Sequence, residues 1–213
     1  MKSASLEHQR RSIRLKDYDY SQSGAYFVTL CAHNRECIFG HIVDETMRLK
    51  HAGRIVAEEW ARSAEIRHEI MLDAWIVMPN HLHGIVVILD HGVGAHGGAP
   101  STEADDAARV LRADGRPPLH RRPQSVPSFV AGFKSAAAKR INEMRGRPGK
   151  PVWQRSYYEH IIRNENECRL IRKYIHDNPL KWALDRENPA VCRGDRQFAP
   201  RDDVERILHG SGT

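Results

Sequence analysis

The chain has 213 residues, a formal net charge of +6 and 40% hydrophobic residues. That length suits one domain with appendages and a real core, and no stretch reaches the roughly 18 apolar residues a membrane span requires. The basic balance suits a polyanionic partner such as nucleic acid, although a generic basic surface would satisfy it too.

Residues 1–24 are polar and basic, with Arg10, Arg11, Arg14 and Lys16 ahead of Tyr18 and Tyr20. They read as an N-terminal arm, either a solvated tail or a phosphate-contacting segment with stacking rings. Charges without an apolar run at this end predict no signal peptide. The four cysteines, Cys31, Cys37, Cys168 and Cys192, include no C-x-x-C pair. Reduced thiols in a cytoplasmic protein are the simplest expectation.

Residues 25–31 are β-branched and aromatic and predict a strand. A turn at 33–36 is expected to return the chain as a hairpin partner over 37–43. Ile55, Val56, Trp60 and Ala64 recur at helical spacing within 49–66. Two apolar strands follow over 70–78 and 81–89, joined by a tight turn at Pro79-Asn80. Both are apolar on nearly every residue, so both faces should be covered and the pair should form the centre of the sheet.

From 91 to 124 glycine, proline, alanine and charges dominate, which predicts a flexible insertion with one short helix around 106–112. His91, His96 and His120 are taken as incidental. Residues 126–145 predict a helix with an apolar stripe of Phe129, Phe133, Ala136, Ala137, Ile141 and Met144. Lys134, Lys139, Arg140 and Arg145 lie on its other faces, as a solvated or a DNA-facing surface. A fifth extended segment is expected over 152–162. Asn164 to Glu167 can cap a last helix, which should end at Asn178 because Pro179 disfavours a helical predecessor. Residues 186–213 form a polar tail with a short helix at 202–209. The order β-β-α-β-β-(insertion)-α-β-α, in a domain spanning 25–185, predicts an α+β fold with an antiparallel sheet backed by helices.

Two features carry chemistry. In a strand, residues two apart share a face, so His81 and His83 project together while Leu82 points away. Two such imidazoles are half of a divalent-metal site, or simply two unrelated histidines. On the last helix Tyr174 and Asn178 are four apart and share a face. Alone, each reads as an amphipathic core residue or a helix-end residue. Together with the histidines they suggest phosphodiester cleavage. A tyrosine hydroxyl has a pKa near 10 and needs its target made electrophilic. Mg²⁺ or Mn²⁺ held by His81, His83 and the amide oxygen of Asn178 would do so as a Lewis acid.

The motifs are Ile13-Arg14-Leu15, Tyr18 to Gln22, Gly24 to Thr29, Trp75 to His83, Trp153-Gln154-Arg155 and Tyr174 to Pro179. In these the chain resembles the REP-associated tyrosine transposases, single-tyrosine members of the HUH (His-hydrophobe-His) class. The resemblance covers roughly 10–185 apart from the insertion. It implies a ferredoxin-like core, metal ligation by His81 and His83, and attack by Tyr174 on single-stranded or hairpin DNA. The family attaches to the 5′ phosphate and frees a 3′ hydroxyl. Asn178 stands where many relatives carry glutamine, a longer amide. Arg14, Lys134, Arg140, Arg155 and His160 are candidate DNA contacts. Monomer and homodimer both stay open. Histidine-triad hydrolases need a further histidine where Ile85 stands, which disfavours them. A non-catalytic DNA-binding derivative is the competing reading.

Overall fold

The computed structural model describes residues 18–90, 124–185 and 187–190. The elements run β1 (Gly24–Cys31), β2 (Gly40–Val43), β3 (Thr46–Leu49), α1 (His51–Glu65), β4 (Ile70–Val77), β5 (His81–Ile88), α2 (Val126–Met144), β6 (Tyr158–Ile162) and α3 (Glu165–Lys181). Short 3-10 turns occupy His33–Arg35 and Trp182–Leu184. Four strands form one sheet in the order β4-β5-β1-β6, and every neighbouring pair is antiparallel. With the β2–β3 hairpin set aside, β1-α1-β4-β5-α2-β6 in this arrangement is the expected ferredoxin-like α+β fold.

Alternation along the two central strands divides the core. Tyr26, Val28 and Leu30 of β1 and Leu82 and Val86 of β5 meet Trp60 of α1 and Phe129 and Phe133 of α2. Phe27 and Ile85 point the other way, to Cys168, Ile171 and Ile175 of α3. Helices therefore cover both faces of the sheet. Burying each such aliphatic or aromatic side chain contributes about 1.5–3 kcal/mol, enough to seat a helix by a few residues. Gly84 is needed on the α1 face, because a Cβ there would lie 2.6 Å from the Trp60 ring.

Polar ties fix the helices. Ser125 caps α2 and Asn164 caps α3 through side-chain bonds to the Ser128 and Glu167 N–H groups. Arg140 of α2 reaches Glu59 at 2.7 Å and Glu58 at 2.6 Å on α1. A register shift in β4 between Leu72 and Trp75 turns out Asp73, which accepts from Arg172 of α3 at 2.7 and 2.9 Å. That bond anchors the helix two residues before Tyr174.

The sequence expectations need four corrections. The 37–43 segment does not pair with β1. Both edges of β1 are taken by β5 and β6, and β2 pairs with β3 instead. Their loop places Asp44 and Glu45 at φ 48° and 58°, the left-handed pair of a two-residue hairpin turn. The usual Asn-Gly or Asp-Gly signal is absent, so β3 escapes a sequence reading. Second, β4 is an edge strand and only β5 is buried along nearly its whole length. Third, only Tyr158–Ile162 of the 152–162 segment is a strand; Trp153 makes an isolated bridge to Ala32. Fourth, α3 continues through Pro179 to Lys181. Burial of Ile175 and Asn178 outweighs the local preference of a pre-proline residue. Arg14, the insertion at 91–123, Arg186 and the tail from 191 lie outside the described residues. No helix among the described residues is long and apolar enough to cross a membrane.

Candidate metal and nucleophile site

β5 begins directly after the Pro79-Asn80 turn, which is closed by the Met78 N–H donating to the His81 carbonyl at 2.8 Å. In register, His81 stands opposite Cys31 and His83 opposite Thr29. The period of two puts both imidazoles on the α3 face of a central strand. Their ring centroids are 4.4 Å apart, and Phe27 stacks on His83 at 5.4 Å. Exposure is 0% for His81 and 1% for His83.

Across from them, α3 brings Tyr174 to the rim of its buried stripe. The Tyr174 ring lies 5.2 Å from His83 and 6.1 Å, edge-on, from Phe27. Its hydroxyl is 3.3 Å from Nε2 of His83. One helical turn later Asn178 is 2% exposed. Its Oδ1 is buried without a hydrogen-bond partner, and so is Nε2 of His81. A buried acceptor of this kind costs about 1–3 kcal/mol when nothing satisfies it, so each of these atoms calls for a donor or a cation.

Burial holds the His83 imidazole down to about pKa 3. It pushes His81 well below the usual range as well, helped by His83 and then Arg35. Neutral rings are the form that ligates metals. His81, His83 and Asn178 are the groups that could hold a divalent ion, and their mixture of imidazole and amide oxygen suits Mn²⁺ or Mg²⁺. Among the described residues no group of three or more His, Cys, Asp or Glu side chains is gathered as metal ligands; the amide oxygen of Asn178 is the further group that the sequence pattern offers on α3.

Sequence reasoning missed three neighbours. Thr29 Oγ1 is 2.8 Å from Nδ1 of His83, and Asn80 Oδ1 is 2.9 Å from Nδ1 of His81. Asp185 Oδ2 stands 4.0 Å from Nε2 of His81, beyond hydrogen-bond reach. Asn80 was legible only as a turn residue. Thr29 ends the Gly24 to Thr29 motif but carried no site role there, and Asp185 lies outside every motif.

The predicted DNA contacts scatter. Lys134 Nζ donates to the Gln154 and Arg155 carbonyls. Arg140 is held by Glu58 and Glu59, and His160 Nε2 is 2.7 Å from Glu167 Oε1. Those three side chains have structural work inside the fold. Arg155 is exposed.

Comparison with solved structures finds a similar fold. A solved structure of a REP-associated tyrosine transposase bound to a REP hairpin superposes with a TM-score of 0.50 at 16% identity, covering 87% of this chain and 95% of that one. At that identity the likeness is one of fold. A Haemophilus influenzae protein, described as uncharacterized, is 38% identical over 181 residues, which is 84% of this chain and 92% of the relative. The chain belongs to the same protein family as that Haemophilus protein. No protein-family model matches it.

Proposed function

We propose that this protein is a metal-dependent, single-strand-specific DNA nickase and strand transferase of the HUH type, acting on hairpin DNA. The observation that carries the reading is the 3.3 Å approach of the Tyr174 hydroxyl to Nε2 of His83. It brings the helix hydroxyl within one phosphate's width of the paired imidazoles. The transposase fold shared with a hairpin-bound relative supports the same reading.

His81, His83 and Asn178 would hold the ion. A bound Mg²⁺ or Mn²⁺ would act as a Lewis acid on the phosphate of the DNA strand. Tyr174 supplies the nucleophile: its phenolic oxygen bonds to phosphorus as the bond to the 3′ oxygen breaks. The phenol loses a proton to solvent and the leaving 3′ oxygen takes one up, so the products are a 5′-phosphotyrosine and a free 3′ hydroxyl. Reversal by another 3′ hydroxyl rejoins strands without ATP. Phe27 and α3 restrict water around the rings, which strengthens charge interactions there. Of the candidate DNA contacts within the described residues, Arg155 is the exposed one and would be available to a DNA backbone.

The test is a denaturing gel with labelled hairpin oligonucleotides, with and without Mn²⁺. A shifted protein–DNA adduct that requires Mn²⁺ and Tyr174 is the expected result. Tight hairpin binding with no adduct under any metal would overturn cleavage in favour of a DNA-binding role.

A further inference from the structure

Asn80 sits in the β4–β5 turn and is completely buried. Its side-chain Nδ2 donates to two carbonyls, that of Arg35 at 3.0 Å and that of Glu187 at 2.6 Å. An amide nitrogen only donates and a carbonyl only accepts, so the orientation of this amide is settled by its surroundings. The atom facing His81 must therefore be Oδ1, 2.9 Å from Nδ1.

An acceptor at that distance requires the ring proton to lie on Nδ1. Nε2 of the neutral ring is then a bare electron pair. It is the same atom that is buried without a hydrogen-bond partner. Its neighbour, Asp185 Oδ2 at 4.0 Å, is another oxygen. We propose that Asn80 is a positioning residue that locks His81 in its Nδ1–H tautomer and so presents Nε2 to the divalent cation. The proposal rests on the metal site described under the proposed function.

His83 has no equivalent lock. Its Nδ1 meets the hydroxyl of Thr29, which can donate or accept with equal ease. Asn80 is thus the group that sets proton polarity in the pair. It also ties the ring to two distant segments. Glu187, whose carbonyl it holds, is itself bound through its carboxylate by Arg35 Nε at 3.2 Å and by the Cys31 thiol at 3.6 Å. The loop after β1 and the segment after α3 therefore converge on one amide behind His81.

The experiment uses the full chain labelled with ¹⁵N and no DNA. Long-range ¹H–¹⁵N spectra of the histidine rings report the tautomer, and calorimetric titration with Mn²⁺ reports affinity. The wild type should show His81 as a single Nδ1–H form. Asn80→Ala should give mixed tautomers and bind Mn²⁺ about 10–100-fold more weakly, the usual cost of losing a partner behind a ligating histidine. Asn80→Asp still accepts from Nδ1–H but loses the two bonds donated to the Arg35 and Glu187 carbonyls, so it should keep the tautomer while lowering the urea midpoint. A wild-type ring carrying its proton on Nε2 would overturn the proposal without recourse to any variant. So would Asn80→Ala with unchanged tautomer and affinity. A wild type that binds Mn²⁺ through an Nδ1–H ring yet never cleaves a hairpin would sink the nickase reading and leave this role for Asn80 standing.

Discussion

Tyr174 and His83 are 91 positions apart in sequence, yet the phenolic hydroxyl lies 3.3 Å from Nε2 of the imidazole. The same nitrogen cannot both accept from the phenol and ligate a metal ion. A cation held by His83 would therefore displace this contact, and Tyr174, fixed by its packing against Phe27, would keep its hydroxyl beside the site. Tyr174→Phe removes only that oxygen, and the ring keeps its packing against Phe27. The covalent adduct should vanish, with hairpin affinity within about threefold of wild type, or ~0.6 kcal/mol. Persistence of the adduct in a denaturing gel would remove Tyr174 from the chemistry.

Asn178 is predicted to be a working ligand in spite of its short side chain. Its Oδ1 is buried and has no hydrogen-bond partner within the protein, so an ion at that atom would supply the missing interaction. Asn178→Ala should weaken Mn²⁺ binding about tenfold or more, equivalent to ~1.4 kcal/mol, as read by calorimetry. Chelation with EDTA should stop cleavage and spare hairpin binding. Equal Mn²⁺ affinity in the variant would show that the histidines act without the amide.

Stability of the metal-free protein should depend on pH through the two buried imidazoles. Each folded-state pKa lies below the unfolded value near 6.5, and for His83 it falls to about 3. Between those limits the unfolded chain binds protons that the folded chain refuses, so unfolding free energy rises with pH. Stability is thus fully present above about pH 6.5 and is lost as pH falls toward 3, at up to ~1.4 kcal/mol per pH unit per histidine. Urea titrations in EDTA at several pH values, compared with His83→Asn, would measure it. The variant should show a shallower slope; identical slopes would mean that the ring is solvated.

Gly84 follows His83 in β5 and faces the Trp60 ring of α1. Gly84→Val places side-chain atoms where the indole lies, with even a Cβ at 2.6 Å. Overpacking of this kind costs about 1–3 kcal/mol, visible as a lower urea midpoint. Because β5 carries His81 and His83 on its other face, Mn²⁺ affinity should fall in parallel. An unchanged midpoint would show that α1 moves aside freely.

Arg140 and Arg155 should separate cleanly. Arg140 neutralises Glu59, which is only 5% exposed. Arg140→Leu would leave that carboxylate short of its main partner and lower stability by about 1–3 kcal/mol, with hairpin affinity little changed. Arg155→Ala should do the reverse, leaving the urea midpoint in place and reducing the salt dependence of hairpin binding by about one phosphate contact. A binding loss at Arg140 without a stability loss would return that residue to the DNA interface.

The residues themselves determined a good deal. Period-two alternation across Trp75 to Val86 set the two imidazoles on one face, and four-residue spacing did the same for Tyr174 and Asn178. These are local rules, and local geometry satisfied them. Helices α1 and α2 were legible from their apolar stripes within two residues at either end. What lay beyond the sequence was every choice made between distant segments. Which strand flanks β1 depends on the total apolar surface that β5 and β6 bury there, and a nearby turn could not reveal it. The extension of α3 past Asn178 depends on packing that outweighs a pre-proline preference. Whether Arg140 faces solvent or Glu59 depends on how α1 and α2 dock. The amide of Asn80 behind His81, the hydroxyl of Thr29 behind His83 and the approach of Tyr174 to the pair exist only once the sheet is closed and α3 is seated. Hydrogen bonds are satisfied by whichever groups the fold brings within 3 Å or so, and chain distance has no say in that.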